Sequence, residues 1–191
     1  GYALHLRGDA NGLAPAAGVT QLPGSYARVP HHRALGGFTQ MTVALWVNPT
    51  QPAPLVEEVA LLHKGGAVAG REYALSLLRD PSSATAPGVH GKLRVRVRLG
   101  SLGGDAWALD WKPANATVVS DGSTWTYLAL TWDGERVALY ANGTLVDERA
   151  FANNAASGAA SSALFAGVAP VLIGAAAPAN ADAAQIDSPV E

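Results

Sequence analysis

Apolar and polar positions alternate with period two in several separate runs of this chain. The clearest run is Trp125–Trp132, where Thr126, Leu128, Leu130 and Trp132 alternate with Trp125, Tyr127, Ala129 and Thr131, the pattern of a strand. Asp133-Gly134 breaks the run, and Val137, Leu139 and Ala141 resume it on a return strand. Asn142-Gly143 punctuates it again, because a tight type I′ turn needs positive φ at both central positions. The same reading predicts strands over Ala3–Leu6, Tyr26–Val29, Thr42–Val47, Val59–His63, Tyr73–Leu78, Lys92–Leu99, Trp107–Trp111, Arg136–Ala141 and Val171–Ile173. Short strands between Gly, Pro, Asn and Asp clusters imply an all-β sandwich of two antiparallel sheets rather than a βαβ fold. No amphipathic helix and no internal repeat is found. The Ala-rich stretches Ala152–Ala163 and Ala175–Ala184 are expected to be surface loops.

The ordered motifs resemble one family. Trp125 leads a short apolar strand into Thr131-Trp132-Asp133-Gly134, then Leu139-Tyr140, Gly143 and Val146. Phe38-Thr39 precedes Val43-Ala44-Leu45-Trp46-Val47-Asn48-Pro49, and Leu61-Leu62-His63-Lys64-Gly65 follows. Tyr73–Leu77, Lys92–Val95, Pro170–Gly174 and Ile186-Asp187 complete the order. Together these are similar to the laminin-G-like, or concanavalin A-like, jelly-roll family over nearly the whole chain. The resemblance implies a jelly-roll β-sandwich, with Trp46, Trp125 and Trp132 at positions that look like core. Two places depart from the family pattern. Ile186-Asp187 runs into Ser188-Pro189-Val190-Glu191 in place of a last strand, and Pro189 has no N–H for a sheet ladder. Ala183-Ala184-Gln185 stands where an aromatic-x-Gly is usual. The chain is therefore expected to be one domain, residues 1–191, cut from a longer polypeptide.

Length and charge narrow the function classes. The 191 residues suffice for one domain with a substantial core. A net charge of −2 argues against a dedicated nucleic-acid binder. No apolar run reaches the length of a membrane span, and no basic-then-apolar leader is visible. The absence of Cys excludes disulfides, thiolate zinc sites and cysteine nucleophiles.

Catalysis by this architecture would need two carboxylates on one strand face, close enough to flank a glycosidic bond. Alternation would place them two or four residues apart. Glu57-Glu58 and Asp147-Glu148 are adjacent, and Asp105 and Asp110 are separated by an odd step, so each pair points to opposite faces. Neither an HExxH helix nor a Gly-x-Ser-x-Gly elbow occurs. The chain is expected not to be an enzyme. Calcium is the one cofactor the resemblance implies. Asp9 and Asn11 lie where the family's N-terminal Asp-Gly loop sits, and Asp187 lies in the matching C-terminal motif. Oxygen donors from neighbouring first and last strands would suit a hard cation. Asp9 and Asn11 equally suit a simple Asx turn.

Binding candidates fall on two predicted strands. Lys92, Arg94, Arg96 and Arg98 share one face of a strand whose other face is apolar. Guanidinium forks on such a face could hold sulfates or uronic carboxylates, or simply shield apolar surface with their heads paired to acids. Trp107 and Trp111, with Leu109 between them, read either as a sugar-stacking platform or as an inward core triplet. Asn115-Ala116-Thr117 and Asn142-Gly143-Thr144 are N-glycosylation sequons, whereas Pro49 blocks Asn48. The resulting expectation is a non-catalytic module of a cell-surface or secreted protein. It would contact glycans, acidic ones included, or other domains of a larger assembly. A calcium-dependent lectin is the alternative, and an enzyme with carboxylates from separate strands a further one.

Overall fold

The computed structural model describes residues 26–49, 58–66, 70–79, 91–101, 104–151 and 163–174. The expected strand Ala3–Leu6, the Ala-rich loops except Ala163, and Asp9, Asn11 and Asp187 lie outside them. Within them the chain is strands, joined by turns and one 3-10 turn at Arg33–Leu35. The strands are β1 (Ala27–Val29), β2 (Met41–Val47), β3 (Glu58–Lys64), β4 (Tyr73–Arg79), β5 (Lys92–Gly100), β6 (Trp107–Trp111), β7 (Thr117–Val119), β8 (Thr126–Trp132), β9 (Arg136–Ala141), β10 (Thr144–Ala150) and β11 (Val171–Ile173). One sheet has the order β1-β11-β3-β4-β5-β6, with β7 also paired to β5; the other is β10-β9-β8-β2. Every pairing is antiparallel. This is the two-sheet sandwich that the alternation implies.

The core lies between the sheets. Leu93, Val95, Val97 and Leu99 of β5, and Leu128, Leu130 and Trp132 of β8, are buried at alternate positions. Burying each such side chain stabilises the fold by about 1.5–3 kcal/mol. Trp132 also donates its indole N–H to the Phe151 carbonyl, 3.1 Å away. Trp46 and Trp125 depart from the core expectation, being 60% and 48% exposed. The cause is parity. In β2, Met41 and Val47 are buried and Val43 and Leu45 partly so, while Thr42, Ala44 and Trp46 face out. The Asn142-Gly143 turn has φ of 50° and 80°, as the hairpin chemistry requires.

β7 and β10 were not expected from the pattern. β7 has three residues. β10, Thr-Leu-Val-Asp-Glu-Arg-Ala, is an edge strand with a register shift between Leu145 and Asp147. Charges and bulges at a sheet edge resist pairing with other chains, and they erase the alternation at the same time.

A buried ion pair ties the ends of several strands together. Lys64 Nζ donates to Glu72 Oε1 at 2.6 Å and to the carbonyls of Gly167 and Ala169 at 3.3 and 2.8 Å. Both side chains are fully buried. The Gly167 N–H also donates to Glu72 Oε1, at 3.1 Å. Burial outweighs these partners and pushes the Glu72 carboxyl up from 4.5 to about 6. A pKa raised on folding favours the protonated folded state. Its stabilising contribution is complete below about pH 4.5 and lost as pH rises through about 6. Relative to Glu72→Gln, the native protein should therefore lose about 2 kcal/mol between pH 4.5 and pH 7. Urea unfolding of both proteins across that window measures the difference. A gap that stays constant with pH would show that Glu72 titrates alike in both states.

Candidate functional site

The arginine stripe projects from the outer face of the larger sheet, as alternation on β5 demands. Arg94, Arg96 and Arg98 stand opposite Leu78, Ser76 and Ala74 of β4. The register then brings acids from both sides. Arg96 donates Nη1 to Glu58 Oε2 at 2.6 Å and Nε to Asp110 Oδ1 at 2.7 Å. Its Nη2 contacts the second Asp110 oxygen. Arg98 Nη2 donates to Glu58 Oε1 at 2.6 Å, and Ser76 Oγ donates to the same oxygen. Two guanidinium groups thus meet two carboxylates in one partly buried network. The Arg96 fork holds the Asp110 carboxyl below the usual carboxylate range. Burial pulls Arg98 down, though it remains a cation in the pH range of biology.

Trp107 and Trp111 do not share a face. Leu99 pairs with Leu109 while Gly100 pairs with Trp107, a register shift that displaces Ala108. A bulge of this kind reverses the facing of everything beyond it. Trp111 and Leu109 are buried in the core. Trp107 stands on the outer side, with the Arg98 guanidinium 5.0 Å from its ring centroid and His63 edge-on at 6.0 Å. His63 Nε2 lies 3.0 Å from the Gly65 carbonyl, so this nitrogen carries the proton. Burial lowers the His63 pKa, which keeps the ring neutral, and its Nδ1 is buried with no hydrogen-bond partner among the described residues. Nothing in the strand pattern flagged His63, Ser76 or Glu58 as members of this face. Glu58 was visible only as half of an adjacent acid pair.

The remaining expected residues are separate. Asn115 is exposed in the turn between β6 and β7. Asn142 is exposed at the β9–β10 turn, where its Oδ1 accepts from the Tyr127 N–H at 2.9 Å. No group of three or more metal-ligating side chains occurs among the described residues. No helix among them is long and apolar enough to cross a membrane.

The smaller sheet carries the aromatic surface that the sequence assigned elsewhere. Trp46 of β2 pairs with Tyr127 of β8 across the outer face. Their ring centroids are 5.2 Å apart and the planes tilt by 48°, within the range of favourable aromatic pairs. Trp125 lies two residues before Tyr127. Farther along the same face, away from this pair, Thr42, Thr131, Arg136, Ala138, Tyr140 and Glu148 line a groove of about 450 Å³.

The two antiparallel sheets with a buried interlayer core form a β-sandwich consistent with a jelly roll. The chain belongs to the concanavalin A-like lectin/glucanase superfamily, whose laminin-G-type profile matches residues 22–187. No curated protein matches it. Among solved structures, it is similar to a heptameric SAP-like pentraxin from Limulus polyphemus (15% identity, 77% of this chain and 54% of that one, TM-score 0.47). It is also similar to an alginate lyase from Alteromonas sp. 272 (13%, 75% and 56%, TM-score 0.44). Domain 4 of AbnA, an extracellular arabinanase from Geobacillus stearothermophilus solved with arabinotriose, matches at 18%, 78% and 57%, TM-score 0.43. The chain spans a little over half the length of each.

Proposed function

We propose that this chain is a non-catalytic, glycan-contacting recognition module of a cell-surface or secreted protein. The observation that carries the reading is the exposure of Trp46 and Trp125, at 60% and 48%, beside Tyr127 on one sheet face. Large aromatic surface kept in water marks a binding site more often than a structural one. Amphipathic rings suit sugars, which present an apolar face and a hydroxylated rim.

The larger sheet supports a structural reading for its own polar face. Glu58 and Asp110, the carboxylates that the register gathers there, are both committed to arginine. A glycosidase acid needs a raised pKa, and Asp110 is shifted the other way. The same pairing leaves Arg96 and Arg98 balanced by acids rather than poised for sulfates. The test is a glycan array run with calcium and with chelator, followed by product analysis on each bound polymer. Selective binding with no turnover is the expected result. Released product would make the chain an enzyme, and a blank array would shift the reading to protein contacts. Binding lost in chelator would add a calcium ion to the module. Intact mass from the native source would show carbohydrate on Asn115 or Asn142 if the protein is secreted through a glycosylating pathway.

A further inference from the structure

We infer that the module holds a neutral oligosaccharide chain along the outer face of the four-stranded sheet, from its aromatic pair to the groove at the other end; this rests on the glycan-contacting reading above. The register fixes the layout of this face. Trp46 and Tyr127 stand at one end. Next come Ala44 and Ala129, with Tyr140 beside them, and then Thr42, Thr131 and Ala138, with Glu148 at the margin. Arg136 and Gln40 line the far end. From Trp46 to Thr42 is four residues of strand, roughly 13 Å at the usual rise. That length fits a short run of sugars lying along β2 better than a single terminal residue.

Side-chain size and charge name the ligand class. Alanine and threonine at successive outward positions keep the floor low, so that a chain can lie on it. Aromatic rings at one end offer stacking, and the Thr42, Thr131 and Tyr140 hydroxyls offer hydrogen bonds in both directions. The charged groups are already committed. Arg136 Nη1 donates to Glu148 Oε1 at 2.7 Å. Asp133 Oδ1 accepts from the backbone N–H groups of Glu135 and Arg136, at 2.9 and 2.7 Å. Among the described residues lining the groove, an anionic chain finds no cation that is not already paired. A neutral, hydroxyl-rich chain gains contacts without breaking any of these bonds.

Affinity electrophoresis and titration calorimetry of the domain against arabinan, xyloglucan and galactomannan, with alginate and heparan sulfate in parallel, test the assignment. Trp46→Ala and Thr42→Arg are surface substitutions whose melting temperatures report that folding is intact. At least one neutral polymer is expected to bind, with affinity falling about tenfold or more in Trp46→Ala, as for a truncated interface aromatic. Thr42→Arg is expected to obstruct the floor and weaken the same ligand. Unchanged affinity in both variants would put the ligand elsewhere on the module. Binding confined to the acidic polymers, strengthened by Thr42→Arg, would overturn the neutral class while leaving glycan recognition standing. A blank against both sets would overturn the groove assignment and the proposed function together.

Discussion

Lys64→Met is expected to destabilise the protein by about 3–5 kcal/mol, the usual effect of removing one partner from a buried ion pair. The ammonium satisfies three acceptors at once, Glu72 Oε1 and the carbonyls of Gly167 and Ala169. Methionine fills similar volume but donates nothing. Glu72 then takes up a proton or stays charged in an apolar site, and the two carbonyls lose a donor. Glu72→Gln is expected to be milder. The amide oxygen can still accept from Lys64 Nζ and from the Gly167 N–H, which offsets part of the loss of the Lys64 counter-charge. Lys64→Met with Glu72→Leu should recover part of the loss, since no uncompensated charge remains. Recovery will be incomplete because Gly167 and Ala169 keep unpaired backbone groups, each worth about 1 kcal/mol or more. Chemical unfolding of Lys64→Met, Glu72→Leu and their double variant gives the coupling directly. Equal losses in Lys64→Met and Glu72→Gln would show that the missing counter-charge, and not the hydrogen bonds retained by the amide, decides the stability of the site.

The strands that build the sandwich were legible because one face of each is buried. Met41, Val43, Leu45 and Val47 mark β2, and the Leu93–Leu99 alternation marks β5 with its outward arginines. Where burial is weak the pattern fades, which is why β10, with exposed Glu148 and Arg149 and no buried residue, carried no signal. The placement of Trp46 was legible in the parity of β2. It was overridden by the likeness of its position to a family core position. Trp107 was not legible at all. Its face depends on a backbone bulge opposite Gly100, and a bulge leaves no trace in hydrophobic periodicity. The arginine stripe was read correctly as co-facial, but its partners Glu58 and Asp110 come from strands on either side of β4 and β5. Only the strand register decides whether such a face is free or neutralised. The Lys64–Glu72 pair joins residues eight apart across a turn, a separation with no characteristic spacing.

Gly100→Ala is expected to have an effect at least as large, about 4 kcal/mol or more, placing it among the exceptional single substitutions. Gly100 ends β5, and its N–H donates to the Glu72 carbonyl at 2.7 Å. A Cβ added there would fall on the carbonyl oxygen of Arg71. The obstacle is backbone, so no rotamer change can relieve it. The strand end would have to part from the Arg71–Glu72 segment. That movement would pull Glu72 away from Lys64 and shift the bulge that sets Trp107 against Arg98. Gly36 and Gly167 crowd the same carboxylate, and a Cβ on Gly167 would come within 2.9 Å of Glu72 Oε1. The ion pair therefore sits in a cradle that only residues without side chains can form. Gly143→Ala supplies the contrast. An added Cβ there meets nothing within 4 Å, so the penalty reduces to that of φ at +80°, about 1–2 kcal/mol. Thermal melts of both variants should separate them widely, and Gly100→Ala should also lose the near-ultraviolet circular dichroism of the packed Trp107. Comparable melting temperatures would mean that the Arg71–Glu72 segment yields easily, and that the ion pair does not depend on the closeness of its glycines.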